Sequence, residues 1–314
     1  MKICLSVSCM DVHFQHMVDE LQKEAQVDVV GLDGFSLEGY DLFIGKKLSK
    51  EILATADRLK AVFAYKTGVD NFPMAELKQK DILLINSHID AKIIAEYAFG
   101  LSLSLVNRIT ECDKKLRKGI WYDKENPYWE SFFDMKVGLL GYGHIGKNIH
   151  QILLRNQVKT YTIDRGHRYE NIQLVHTVEE LCDTCDLIIL SLPKTPETDL
   201  LFNADLLRHM EGKYLVNVGR SNCIDEKALY ESLKSGWLAG AAIDTWATKP
   251  KTLEEQLYPS KFPLAELENI VLSPHQAMKV ESGHSRYVED TLAKVRAYLH
   301  HEPLTDQVDL VKGY

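Results

Sequence analysis

Eleven short apolar runs, separated by polar loops and helical patterns, constrain this chain more than any other feature. A first series reads KICLSV (2–7), VDVV (27–30), DLFIG (41–45), KAVFAY (60–65) and DILLIN (81–86). A second reads KVGLLG (136–141), VKTYTI (158–163), DLIILS (186–191), KYLVNV (213–218), LAGAAI (238–243) and NIVLS (269–273). Helical patterns fall between them, at 11–24, 49–57, 144–156 and 225–235. Near-continuous apolar strands that alternate with helices build parallel sheets covered on both faces. Two series therefore predict two α/β domains.

A helical stretch at 91–118, stopped by Gly119, forms the seam between the series. A second helix at about 281–300 precedes a short final strand, DQVDLV. A chain that leaves one domain by a helix and returns by another makes the first domain discontinuous. The expected division is an outer domain of 1–91 plus 286–314 and an inner domain of 92–285. A length of 314 residues suits one or two compact domains.

The formal net charge of −8 argues against nucleic acid or an anionic membrane as main partner, since both need a cationic face. The N-terminus MKICLSVSCMDVHF is too short and polar for a signal peptide, and no apolar run reaches the roughly 18 residues of a membrane span. A cytoplasmic protein is the expectation. The six cysteines are scattered, so free thiols are expected, and Cys182-x-x-Cys185 lacks the second ligand pair that zinc requires. No metal site is expected.

The run KVGLLG leads into Gly141-Tyr-Gly143-His144-Ile145-Gly146 and then a helix, KNIHQILL. Alone, GxGxxG is weak, but here a strand precedes it and a helix follows. Gly141 permits the tight turn, Gly143 lets a pyrophosphate approach the backbone, and Gly146 allows close helix–strand packing. The helix N-terminus supplies N–H groups and a positive dipole end. The next strand ends in Asp164, placed to accept from the adenosine ribose hydroxyls and to repel a 2′-phosphate. NAD is favoured over NADP, although Arg165, His167 and Arg168 stand close enough in sequence to accommodate a phosphate.

Ligands of doubly wound sheets bind outside the carboxyl ends of the strands. The polar residues there are SLPKTPET after LIIL, Arg220 after YLVN, Asp244 after GAAI, and Pro274-His275 after NIVLS. A lone Arg at a strand end is usually a surface ion pair, and a lone His after Pro is more often structural. All of these follow strands of one nucleotide-binding sheet, which changes that balance. Arg can grip a carboxylate with two parallel hydrogen bonds, and His exchanges protons near neutrality.

With these segments in order, the chain resembles the D-isomer-specific 2-hydroxyacid dehydrogenases. The resemblance rests on Gly68-Val69-Asp70-Asn71, Ala95-Glu96 with a later Arg108, Lys118-Gly119-Ile120-Trp121, Leu192-Pro193-Lys194-Thr195-Pro196-Glu197-Thr198, NVGRSN and SPHQA. It implies two Rossmann-like doubly wound parallel-sheet domains with the active site in the cleft between them. It implies hydride transfer between NAD(H) and a small anionic 2-hydroxy or 2-oxo acid. His275 would be the acid/base, and Arg220 would bind the substrate carboxylate and carbonyl. Gly141, Gly143, His144, Ile145, Gly146, Asp164, Leu192, Pro193, Thr198, Val218 and Asp244 would contact the cofactor, Asp244 at the nicotinamide carboxamide. Backbone N–H groups around Thr67, Gly68 and Val69 would hold the substrate carboxylate. A homodimer through the nucleotide domain is implied as well. Lys66 and Trp246 are further candidate contacts.

Three positions depart from the family pattern. Ser221 replaces the Gly after the signature Arg, and Met278 and Lys279 replace small residues after the His. Most consequential is Lys249, five residues after Asp244, where the family keeps a Glu that raises the pKa of its histidine. A lysine beside His275 would favour neutral imidazole and reduce the proton donor. Three readings stay open. Lys249 points away while Glu254, Glu255 or another acid substitutes; the site is retuned for another substrate; or the chain is a catalytically weakened NAD(H)-binding sensor or interaction protein.

Overall fold

A computed structural model describes residues 1–121, 128–166, 169–252 and 254–314. His167 and Arg168 lie outside the described residues. The chain divides into two compact units, Met1–Asp90 with Lys279–Tyr314 and Ala91–Met278. The expected boundaries were 91/92 and 285/286. The segment leading into the last helix thus groups with the unit that helix packs in.

The elements run β1 (Lys2–Ser6), α1 (Val12–Leu21), β2 (Gln26–Val30), β3 (Leu42–Gly45), α2 (Lys50–Ala54), β4 (Ala61–Ala64), α3 (Met74–Gln79) and β5 (Leu83–Ile85). There follow α4 (Ala91–Val106), α5 (Ile109–Arg117), β6 (Lys136–Leu140), α6 (His144–Arg155), β7 (Lys159–Ile163), β8 (Gln173–Val175), α7 (Val178–Thr184) and β9 (Leu187–Leu190). The rest are α8 (Ala204–Leu207), β10 (Tyr214–Asn217), α9 (Glu226–Lys234), β11 (Gly240–Ile243), β12 (Ile270–Leu272) and α10 (Gly283–Leu299).

The first unit holds a parallel sheet of order β2-β1-β3-β4-β5. The second holds a parallel sheet of order β12-β11-β10-β9-β6-β7-β8, a dinucleotide-binding order extended by one strand. Strand alternation fills both faces of the second sheet. Leu140, Ile188, Leu190, Leu215 and Ile243 pack with residues of α7, α8 and α9. Val137, Leu139, Leu187, Ile189 and Val216 pack with α4 and α6 on the other side. Successive residues point to opposite faces, so both faces are apolar only when the run is continuous.

Two expected elements change. The stretch 91–118 is two helices, broken at Arg108, which adopts a left-handed φ of 56°. Such a residue costs about 1–2 kcal/mol, offset by its guanidinium on Glu111, with Nε at 2.7 Å. Apolar spacing continues through the break, so periodicity alone does not reveal it. Gly119 ends the second helix at φ 77°, as its position predicts. The final strand DQVDLV is not a strand: it contributes one isolated antiparallel bridge, Ile85↔Gln307. Its acids serve elsewhere. The Asp306 carboxylate accepts from the buried Lys294 ammonium at 2.6 Å, which also donates to Asp290 at 2.6 Å and to the Asn86 carbonyl at 2.9 Å. The strand β8 was not expected, because two of its three residues are exposed. All six cysteines are free.

Candidate active site

The strand order of the second sheet reverses between β6 and β9, and ligands of such sheets bind outside the carboxyl ends of that pair. Gly141 leaves β6 at φ 103°, and a Cβ there would sit 2.9 Å from the Ser191 backbone after β9. The Ser191 hydroxyl donates to the Gly141 carbonyl at 2.9 Å. A Cβ on Gly146 would come 2.1 Å from the Gly141 oxygen, and one on Gly219 2.8 Å from Leu192 N and O. At Gly143, which precedes α6 without a side-chain cap, a Cβ would meet nothing within 4 Å. Two glycines of the motif therefore serve packing. The third keeps the backbone bare toward open space at a helix N-terminus, which fits a pyrophosphate.

Tyr142, the variable residue of the motif, hooks this loop to its own helix. Its hydroxyl bonds His150 Nδ1, while His150 Nε2 lies 3.1 Å from the Asn171 carbonyl. A carbonyl only accepts, so Nε2 carries the proton. Burial lowers the His150 imidazolium, which keeps the ring neutral. Asp164 is exposed at the end of β7, where one carboxylate oxygen accepts from Gly166 N at 2.8 Å. Among the loop residues 192–198, Thr198 is buried and its hydroxyl donates to the Pro193 carbonyl at 2.8 Å and accepts from Thr195 N at 2.9 Å. Its hydroxyl folds the loop, and Leu192 packs on the core beneath. Ile145 packs against the opposite cluster, in which Val218 is buried.

Arg220, Asp244 and His275 follow β10, β11 and β12, three adjacent parallel strands spaced about 4.8 Å apart. Buried Asn217 shapes the turn that carries Arg220. Its side chain accepts from Gly219 N at 2.9 Å and donates to the Arg220 carbonyl at 3.1 Å. Asp244 is 2% exposed. Its carboxylate accepts from the Ser273 hydroxyl, from Gln276 N at 2.7 Å and from Ala277 N at 3.2 Å. Trp246 Nε1 donates to the Ser273 carbonyl at 2.8 Å, and the Tyr97 hydroxyl lies 2.9 Å from the Ser273 hydroxyl. These bonds clamp the turn on which His275 adopts a left-handed φ of 57°. A non-glycine residue in that region persists only where its surroundings over-determine it. Sequence reading placed Asp244 near a cofactor and missed that its carboxylate builds the histidine turn; it also missed Asn217, Ser273 and Tyr97. Only Ser273, two residues before His275, offered a local signal; Asn217 serves the Arg220 turn and Tyr97 comes from α4.

Lys249 is exposed and, among the described residues, takes part in no ion pair. Glu255 accepts from Lys251 N at 2.5 Å, and Glu254 is exposed.

In the first unit, the chain after β4 turns at Thr67, Gly68 and Val69. The Thr67 N–H is engaged with the Tyr287 hydroxyl, while among the described residues the Gly68 and Val69 N–H groups donate no hydrogen bond. The turn itself is well supported. Asn86 Nδ2 donates to the Thr67 carbonyl at 2.7 Å, and the Thr67 hydroxyl lies 3.1 Å from the Tyr287 hydroxyl. Behind Tyr287 lies Asp90, fully buried, with Arg286 Nε at 3.9 Å. Burial raises the Asp90 carboxyl above the usual range, against a hydrogen bond from Tyr287 and the Arg286 charge. Two successive N–H groups left open on a fixed turn, Gly68 and Val69, suit an anion-binding nest.

Residues 99–277 match the family described as D-isomer specific 2-hydroxyacid dehydrogenase, NAD binding domain. The chain is 31% identical over 253 residues to the glyoxylate reductase of Thermofilum pendens (strain DSM 2475 / Hrk 5), a span covering 77% of this chain and 73% of that one. It is 30% identical over 241 residues to the D-3-phosphoglycerate dehydrogenase of Haemophilus influenzae, covering 74% of this chain and 58% of the relative. A crystal structure of a protein from Pyrococcus horikoshii OT3 superposes with a TM-score of 0.85 at 29% identity, over 98% of this chain and 95% of the other.

Proposed function

We propose that this chain, which belongs to the D-isomer specific 2-hydroxyacid dehydrogenase family, reduces a small 2-oxo acid at C2, with His275 as proton donor and Arg220 as substrate clamp. The enzyme is a 2-hydroxyacid dehydrogenase that uses a nicotinamide cofactor, and no helix among the described residues is long and apolar enough to cross a membrane. The observation that carries the finer reading is the row Arg220, Asp244 and His275 at the ends of three adjacent strands, beside a glycine turn shaped for a pyrophosphate.

The bound nicotinamide supplies the hydride. Arg220 meets the substrate carboxylate and the carbonyl oxygen, drawing electron density from C2. His275, fixed by the Asp244 clamp, gives its proton to that oxygen as C2 is reduced, and the product is the 2-hydroxy acid. In the oxidative direction the neutral ring takes the proton back. The Gly68 and Val69 N–H groups would hold the C1 carboxylate. NADH is favoured over NADPH because the exposed Asp164 carboxylate repels a 2′-phosphate. A second copy of the chain is the proposed partner of α5. That helix buries none of its residues, and it exposes Ile109 and Leu116, with Trp121 and Trp129 close in sequence. Sedimentation should give twice the chain mass.

The test is NADH and NADPH oxidation against a panel of 2-oxo acids. His275→Gln should bind NADH as before and lose about 100-fold or more in kcat; retained turnover removes His275 from the role. Tight NADH binding with no turnover on any acid would favour the sensor reading instead. Lys249 is exposed and outside any ion pair among the described residues, so Lys249→Glu is expected to leave the pH profile in place. A profile whose reductive limb moves to higher pH would mean that position 249 does reach His275.

A further inference from the structure

The carboxyl edge of the first sheet holds a charge that reduction at C2 does not require. In the order β2-β1-β3-β4-β5 the connections reverse at β1 and β3, and the crevice of such a sheet lies outside that pair. The first residue beyond β3 is Lys46. Its ammonium lies 5.1 Å from the centre of the Tyr65 ring. That ring is buried and fixed by its hydroxyl on the Ser6 carbonyl at 2.9 Å and by Phe14 edge-on at 5.2 Å. A ring face orients an ammonium without cancelling its charge.

Among the described residues Lys46 has no ion pair, whereas its neighbour Lys47 holds Asp33 at 2.8 Å. Asp11, whose charge Lys46 feels, is otherwise engaged: it accepts from His13 N and Phe14 N as the N-cap of α1 and pairs with His284 at 2.8 Å. The protein packed around Lys46 lowers its ammonium, even though the residue keeps solvent contact. The nest at Gly68 and Val69 follows β4, which pairs directly with β3 through Gly45↔Ala64. Lys46 and the nest therefore leave neighbouring strands, about 4.8 Å apart at their ends. A small acid with an anionic group at each end would meet donors of both loops.

We propose that Lys46 is a specificity-determining residue that reads a second anionic group, a carboxylate or a phosphate, on the side chain of the 2-oxo acid. This rests on the reductase reading above. A neutral side chain would strip water from the ammonium and return nothing, whereas an anion replaces that water with a charge-assisted hydrogen bond.

Two matched pairs of substrates test it on the full-length chain: oxaloacetate against 2-oxobutyrate, and 3-phosphohydroxypyruvate against hydroxypyruvate. The wild type should prefer the anionic member of at least one pair in kcat/KM. Lys46→Met should cut that preference at least about tenfold, mainly through KM, and Lys46→Arg should keep most of it. Loss confined to one pair identifies the group as carboxylate or phosphate. An unchanged preference in Lys46→Met, or equal losses on both members of each pair, overturns the proposal. Should Lys46→Met not fold, Lys46→Gln with a matching melting curve takes its place. Turnover of the neutral acids with no anionic preference sinks Lys46 and leaves the reductase reading standing. No turnover of any acid with either cofactor sinks both.

Discussion

The two carboxyl edges of this molecule are built on opposite means. The second sheet makes its site by leaving atoms out: Gly141, Gly146 and Gly219 lie so close to neighbouring backbone that a Cβ would collide. The first sheet makes its edge from polar groups, with open N–H groups at Gly68 and Val69 and a Lys46 that has no ion pair among the described residues. Shape tolerates almost no substitution but is indifferent to pH and salt. Charge tolerates isosteres but responds to both. The contrast suits their proposed ligands, since a dinucleotide is constant within the family and a substrate side chain is not.

The contrast can be broken most severely through the charges that tie the first unit together. Lys294 is buried against Asp290, Asp306 and the Asn86 carbonyl, and Asn86 in turn holds Thr67. Lys294→Met should cost about 3–5 kcal/mol, because it leaves two carboxylates without their buried partner; urea melts would read it. Burial would raise Asp306, but the Lys294 ammonium, aided by His88, outweighs that and holds it below the usual carboxylate range. Its stabilisation is therefore complete above about pH 4, the unfolded value, and is lost as pH falls through the lower folded value. The mutant should lose that acid limb. An unaltered acid limb would mean the charge arrangement is incidental.

Gly146→Ala should cost about 1–3 kcal/mol and weaken NADH binding, since the methyl meets backbone rather than a movable side chain. Raising salt should not rescue it, which separates shape from charge. Asp244→Asn comes next. An amide oxygen can still accept the two hydrogen bonds that share one Asp244 oxygen, from Ser273 and Gln276 N, but its NH2 cannot accept from Ala277 N, so the His275 turn should loosen and kcat fall about 10–100-fold, or about 1.4–2.7 kcal/mol. A fall in NADH affinity with unchanged kcat would instead favour the carboxamide role. The smallest effect belongs to Gly143→Ala. Nothing lies within 4 Å of the added methyl, so thermal stability should move by no more than about 0.5 kcal/mol while NADH binding weakens. Unchanged binding would show that the pyrophosphate does not approach there.

Much of this was legible in the chain itself. The apolar runs became strands within a residue or two at each end, because a strand buried on both faces needs an uninterrupted run. The glycine motif was readable because its context, strand before and helix after, was readable too. The Arg108 break was not, since a left-handed residue leaves the apolar spacing on both sides intact. DQVDLV looks like a strand by composition, but its Asp306 faces a buried ammonium that only folding brings near. Thr198 is expected at the cofactor and Trp246 is a candidate contact, and folding gives the polar atom of each a partner inside the protein as well.

The sequence by itself determined the two sheets, the phosphate turn and the order of the polar residues at strand ends, because these depend on local periodicity and on glycine. Only the tertiary structure decided which partner each polar atom takes. Asp244 and Ser273 are 29 residues apart in sequence, and Asn86 and Lys294 are 208 apart. Hydrogen bonds at such separations have no local signature. They arise when burial obliges each polar group to find a partner, and that obligation turned Asp244 toward the histidine turn.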